Sequence, residues 1–231
     1  MSFKQWADKH PNQYFVLDIA INIIVIVALV YGVRSYLISP FQVFGPSMCN
    51  TLNFIDNECQ RSFGEYLIVN KAKYHLGDVA RGDIVVFEPP TIAGDLHEEY
   101  YIKRIIGLPG DTVSIRDGRV FVQPADSDES IQLEEPYLNE QNRNKTLTNG
   151  AGRNKTYPPV PEGHYFVMGD NRAQSTDSRT CFEPSSRNAC DDPHKYFIEK
   201  SSISGRSWFI LWPFERARIL RNPDYSALLE K

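Results

Sequence analysis

The sequence predicts a mostly β protein: a single N-terminal transmembrane helix, then an antiparallel, folded-sheet or barrel-like domain that carries a polar insertion. Three observations lead there. One apolar run, Tyr14 to Val33, is long enough to cross a bilayer and shows hardly any polar face. Beyond it, short β-prone runs recur between Gly, Pro and Asp turns, a pattern of antiparallel rather than doubly wound sheets. A stretch rich in Asn, Asp, Glu, Thr and Pro then interrupts those runs.

Residues 1–14 form a short N-terminal tail and residues 15–38 the anchor. Ile19 to Val33 is almost wholly apolar, with Asp18 and Asn22 near one end and Arg34 closing the other. A bilayer core requires about 20 residues of helix. A cleaved signal peptide needs small residues before the cut, and Ser35-Tyr36-Leu37-Ile38-Ser39-Pro40 has no Ala-x-Ala pattern. A soluble core helix shows a polar face every 3.6 residues, which Ile23 to Val33 lacks. Lys4 and Lys9 on one side oppose Arg34 on the other, so charge does not fix the orientation.

The first part of the core spans residues 39–123. Phe41-Gln42-Val43-Phe44 alternates as a strand and ends in the turn signal Gly45-Pro46, which delivers Ser47 onto a loop or helix start. Further strands are expected at Glu65–Asn70, Asp83–Phe87, Tyr100–Ile106, Thr112–Arg116 and Arg119–Val122, the last two joined by an Asp117-Gly118 hairpin. Residues 124–160 form the insertion, with few buriable residues beyond Tyr137, Leu138 and Leu147. It reads equally as a surface loop or a small cap. The core resumes over residues 161–220, at His164–Met168 and again at Gly205–Pro213, and residues 221–231 form a C-terminal tail.

A chain of 231 residues can bury one sizeable core. Its net charge of −4, with Lys and Arg scattered, gives no basic stripe for a phosphate backbone, so nucleic acid is not an expected partner. The four cysteines form two neighbouring pairs, Cys49 with Cys59 and Cys181 with Cys190. Four cysteines allow three connectivities; closing two short loops would contribute roughly 2–3 kcal/mol each and points to an oxidising compartment. Free thiols are the alternative. Zinc on Cys181, Cys190 and His194 lacks the closely spaced ligand pairs of structural sites, and neither metal nor cofactor is expected. Asn144-Lys145-Thr146 and Asn154-Lys155-Thr156 match glycosylation acceptors, which matter only in a secretory eukaryotic setting.

Four segments bear chemistry together: Gly45-Pro46-Ser47-Met48-Cys49-Asn50-Thr51-Leu52, Arg81 to Phe87, Tyr101 to Asp111, and Gly169 to Arg179. Alone, each has a plain reading. An exposed Ser after Gly-Pro is usually a turn residue, and Lys103 on an apolar strand is usually a snorkelling side chain. In this order, behind an apolar anchor, they resemble the boxes of type I signal peptidases, the Ser/Lys proteases that cut signal peptides from exported proteins. The match covers about residues 40–56, 65–120 and 161–215.

The resemblance implies a membrane-bound endopeptidase with a β catalytic domain on the extracytoplasmic side of a cell or organellar inner membrane. Ser47 matches the nucleophile, Lys103 the general base and Ser175 the hydroxyl that orients it. Asp177 with Arg179, and Asp170 with Arg104, match supporting ion pairs. Preprotein signal peptides with small residues before the cut are the implied substrates, and the lipid bilayer is the other partner. Phe41, Gln42, Val43, Phe44 and Tyr101 would bind the extended peptide by β-addition. The Ser47 N–H is the expected oxyanion donor. Gly45 stands where some members carry a second donor, a serine, and Asn50 stands where the family usually has Pro. The chemistry requires a neutral lysine, so the amine must fall from about 10.4 to roughly 7–8 by burial.

Three rivals remain. A Ser-His-Asp hydrolase would use Ser47, one of His75, His97 or His164, and Asp170, but the nucleophile-elbow pattern is missing. A Ser/Lys autoprotease of the repressor-processing kind shares the dyad but carries no N-terminal span. A catalytically inactive membrane-tethered binding module would not need Ser47, Lys103 and Ser175.

Overall fold

The computed structural model describes residues 3–49, 51–90, 100–148, 152–183, 190 and 192–225; Asn50, His97 and the His75 side chain lie outside the described parts. The chain divides into two units, residues 1–39 and 40–231. In the first, helix α1 (Phe3–Lys9) precedes helix α2 (Pro11–Gly32), which runs on through a π-helical turn to Leu37. The apolar helix is therefore 27 residues long, about 40 Å at 1.5 Å per residue, and none of its described side chains is buried. It starts four residues before the expected 15, because Pro11 at the first helical position costs no hydrogen bond there.

The second unit is mostly β, as the sequence predicts. Its strands are β1 (Ile38–Phe44, beginning at the unit boundary), β2 (Phe54–Ile55), β3 (Glu58–Cys59), β4 (Phe63–Asn70), β5 (Ile84–Phe87), β6 (Tyr101–Gly107) and β7 (Thr112–Arg116). There follow β8 (Arg119–Gln123), β9 (Ile131–Gln132), β10 (Lys155–Thr156), β11 (His164–Met168), β12 (Ile198–Glu199), β13 (Ile203–Trp212) and β14 (Arg218–Ile219). A large sheet has the order β1-β4-β13-β5-β6-β11-β12, with β14 against β13; a second has the order β10-β7-β8-β9. β5 is apolar at every position because it is buried on both faces. The β7–β8 hairpin turns at Asp117 and Gly118, both with positive φ, the backbone that a two-residue hairpin loop requires.

The large sheet curls. β1 and β6 stand well apart in strand order, yet the Phe41 ring meets Tyr100 at 5.3 Å, and Phe41 and Ile102 pack on one cluster with Val43, Leu52, Val69 and Val86. β6 pairs with β5 from Tyr101 to Arg104, but β11 reaches only Arg104, Ile105 and Gly107. Tyr101 to Lys103 therefore keep one edge outside the β11 ladder, facing the curl.

Two regions depart from expectation. The insertion supplies β9 and β10 to the second sheet and buries Leu133, Leu138, Tyr157 and Val160, while Leu147 stays largely exposed. The chain after residue 220 is also packed up to its last described residue: Asn222 donates to Asp83, and Tyr225 lies against the core.

Candidate active site

The segment carrying Ser47 is held from three sides. β1 ends at Phe44, and Gly45 turns the chain at φ +79°. A tight turn follows, with the Cys49 N–H on Pro46 O at 2.9 Å and the Leu52 N–H on Met48 O at 2.8 Å. Asn53, itself at φ 61°, donates from Nδ2 to Gly45 O at 3.1 Å and exchanges hydrogen bonds with Glu65, from its N–H to Oε2 at 2.8 Å and from the Glu65 N–H to its Oδ1 at 2.9 Å. A disulfide joins Cys49 to Cys59 on the small β2–β3 hairpin, and another joins Cys181 to Cys190. From across the sheet, Asn171 donates from its N–H to Ser47 O at 3.0 Å and from Nδ2 to Pro46 O at 3.1 Å.

Lys103, on β6, extends to this turn. Its Nζ lies 2.9 Å from Ser47 Oγ and 3.0 Å from Ile102 O, and 5.0 Å from the Tyr101 ring centre. The side chain is buried, and burial brings its pKa down from the ordinary 10.5 to about 8. The negative charges of Asp177 and Asp170 pull the other way, and that of Arg179 assists burial. Burial wins because each carboxylate already has its own guanidinium.

Arg104 holds Asp170 with two parallel bonds, Nε to Oδ1 at 2.9 Å and Nη2 to Oδ2 at 2.6 Å, and its third nitrogen reaches Gly82 O. Arg179 grips Asp177 likewise, at 2.9 and 2.8 Å, and its Nη1 donates to Leu147 O and Arg172 O. Burial raises the Asp177 carboxyl, but the Arg179 charge and hydrogen bonds, with the Gly169 N–H at 2.9 Å, outweigh it and hold the pKa below the usual range. Asp177 stays ionised, and its pull on the Lys103 ammonium is opposed by the Arg179 charge and outweighed by burial.

The residues singled out in the sequence thus fall into groups. Ser47 meets Lys103, Arg104 meets Asp170 and Arg179 meets Asp177. Ser175 Oγ is buried next to Gly169 and near enough to Asp177 to favour its ionised form, yet it completes no well-aligned hydrogen bond and makes none to Lys103. Of the β1 residues, Val43 is in the core, Phe44 is exposed against the Phe63 ring, and Gln42 donates weakly to Gly64 O at 3.4 Å. Space around Gly45 is open where a side chain would project. His164 lies away from the dyad, its Nδ1 beside Glu162 O.

Sequence reasoning missed several residues. Thr51 Oγ1 donates to Asp170 Oδ2 at 2.5 Å, and Asn171 ties the carbonyls of Pro46 and Ser47. Arg172 pairs with Glu135 and donates from Nε to Gly169 O at 3.1 Å. Tyr137 lays its ring 3.8 Å from the Arg104 guanidinium carbon. The density of donors and acceptors in Gly169–Arg179 was the available signal; the partners sat in a stretch that shows no apolar period.

Residues 16–212 match the family model described as signal peptidase, peptidase S26. The chain is 36% identical to a signal peptidase I of Bacillus licheniformis over 198 residues, 85% of this chain and 88% of that one. It is 34% identical to signal peptidase I T of Bacillus subtilis (strain 168) over 214 residues, 92% of each chain. A solved signal peptidase I of Enterococcus faecalis V583 is 30% identical, covering 56% of this chain and 96% of that one at a TM-score of 0.39.

Proposed function

Because this chain belongs to the signal peptidase family, peptidase S26, we propose that it is a membrane-anchored serine endopeptidase that cleaves signal peptides from exported preproteins, with Ser47 as nucleophile and Lys103 as general base. The observation that carries the dyad is the buried Lys103 Nζ at 2.9 Å from Ser47 Oγ, with its pKa brought down to about 8.

The chemistry follows from that pair. Charged Lys103 donates to Ser47 Oγ; once it has lost one proton, the bond reverses and the hydroxyl donates to Nζ. Attack of Oγ on the scissile carbonyl carbon then passes the hydroxyl proton to the amine, and the ammonium returns it to the leaving nitrogen as the C–N bond breaks. An acyl-enzyme on Ser47 remains. The same amine takes a proton from water, whose oxygen attacks the ester carbonyl; the Ser47 Oγ–carbon bond breaks, the ammonium returns the proton to Oγ, and the signal peptide leaves with its new carboxylate. The Ser47 N–H makes no hydrogen bond among the described residues, which leaves it available to the oxyanion.

The peptide is taken to lie between β1 and the stretch Tyr101–Lys103, which stands outside the β11 ladder, where backbone pairing would fit an extended chain; small side chains before the cut are what the family resemblance implies. The 27-residue apolar helix is the membrane anchor. Two disulfides in the catalytic unit support an extracytoplasmic location. The test is cleavage of a purified preprotein by the detergent-solubilised full chain. Ser47→Ala and Lys103→Ala are both expected to abolish it with the fold retained; cleavage by either variant would refute the dyad.

A further inference from the structure

The insertion is built into the site rather than laid over it. Glu135 receives the Arg172 guanidinium in a fork, with Nη1 on Oε2 at 3.1 Å and Nη2 on Oε1, and both side chains are nearly inaccessible, at 9% exposure for Glu135 and 1% for Arg172. The guanidinium is spent completely: Nη1 also reaches Thr146 Oγ1 at 2.8 Å, Nη2 reaches the Tyr137 hydroxyl at 3.4 Å, and Nε holds Gly169 O at 3.1 Å. Gly169 sits flush against the nucleophile. A Cβ there would stand 2.4 Å from Ser47 O and 2.2 Å from Ser175 Oγ, while its N–H bonds Asp177.

A second strut runs in parallel. The Tyr137 ring covers the Arg104 guanidinium, whose residue is adjacent to Lys103 on β6 and whose side chain holds Asp170. Burial pushes the Tyr137 hydroxyl well above its ordinary range, so it remains a donor, and it donates to Glu135 Oε1 at 2.9 Å. The two struts meet at Glu135.

A buried ion pair adds little net stability over an apolar replacement of equal volume. What this pair adds is aim. We propose that Glu135 and Tyr137 are positioning residues for the Ser47–Lys103 dyad, acting through Arg172 on the Gly169 peptide and through Arg104 on Asp170. This rests on the reading of the dyad given above. The charged and titratable groups facing Lys103 are Asp170, Asp177 and Arg179, with the Tyr101 ring; those facing the two arginines are Asp170, Glu135, Tyr137 and Tyr225.

The test measures kcat, KM and the pH profile of kcat/KM on a preprotein, using the full chain in detergent with Ser47→Ala as control. Glu135→Gln and Tyr137→Leu are expected to lower kcat about 10- to 100-fold with KM within about twofold, since small misplacement of reacting groups costs that much. Both are also expected to move the rising limb of the profile to higher pH, because a loosened frame admits water to Lys103. Tyr137→Phe, which keeps the ring over Arg104, recovers most of the kcat lost in Tyr137→Leu. Wild-type kcat and an unmoved limb in Glu135→Gln and Tyr137→Leu would overturn the proposal, as would a lower kcat with the limb unmoved and no recovery by Tyr137→Phe. Cleavage by Ser47→Ala would instead overturn the dyad itself.

Discussion

Replacing Lys103 by Met converts the site's electrostatic strain into a stability difference that depends on pH. At neutral pH the lysine is charged in both the folded and unfolded chains, but the folded site brings its pKa from 10.5 to about 8. That difference costs the wild type about 3 kcal/mol of stability below pH 8, at about 1.36 kcal/mol per pKa unit. Between pH 8 and 10.5 the unfolded chain binds more protons than the folded one, so wild-type stability rises with pH until the cost is gone. Met removes the cost but leaves Ser47 Oγ and Ile102 O without the amine, a loss of about 1 kcal/mol. Lys103→Met is therefore expected to be more stable than the wild type by about 2 kcal/mol at pH 7 and less stable by about 1 kcal/mol at pH 11. Urea unfolding of the full chain in micelles, followed by tryptophan fluorescence at several pH values, reads both. An equal difference at pH 7 and pH 11 would refute the claim that burial depresses this amine.

Two other perturbations follow from the same geometry. Gly169→Ala places a methyl group 2.4 Å from Ser47 O, and the nucleophile must shift; kcat on a preprotein should fall about 100-fold or more, and retention of wild-type kcat would show that the turn yields freely. Asp177→Asn leaves Arg179 buried and unpaired, so thermal or urea unfolding should show a loss of about 3–5 kcal/mol; a change below about 1 kcal/mol would mean that solvent reaches the guanidinium.

The parts of the fold written in local pattern were legible. β5 is a continuous apolar run, β7 and β8 flank an Asp-Gly turn, and the anchor lacks a polar face; each signal lies within one continuous stretch of chain. Two-residue ladders such as β9, β10 and β12 fall below any period, and α3 (Ala72–Leu76) is too short to show one. Asp177 and Arg179 are two residues apart and Arg104 and Asp170 are 66 apart, yet only resemblance to a family joined either pair in the sequence. The role of the insertion was not readable because its anchoring residues are polar. Glu135, Asn142 and Thr146 look like surface until Arg172 and the Gly169–Arg179 loop are set against them. Binary patterning counts buried apolar residues; it does not see a buried carboxylate whose partner is elsewhere in the chain.

The claim on which the account turns is that one buried, neutralised amine activates one hydroxyl. A serine-directed acylating inhibitor, with the adduct mapped by mass spectrometry and its rate followed against pH, addresses both groups at once. A single adduct on Ser47 is expected, forming about tenfold faster per pH unit up to a plateau near pH 8, with no adduct in Lys103→Met. An adduct on another residue, or a Ser47 rate indifferent to the loss of Lys103, would contradict it.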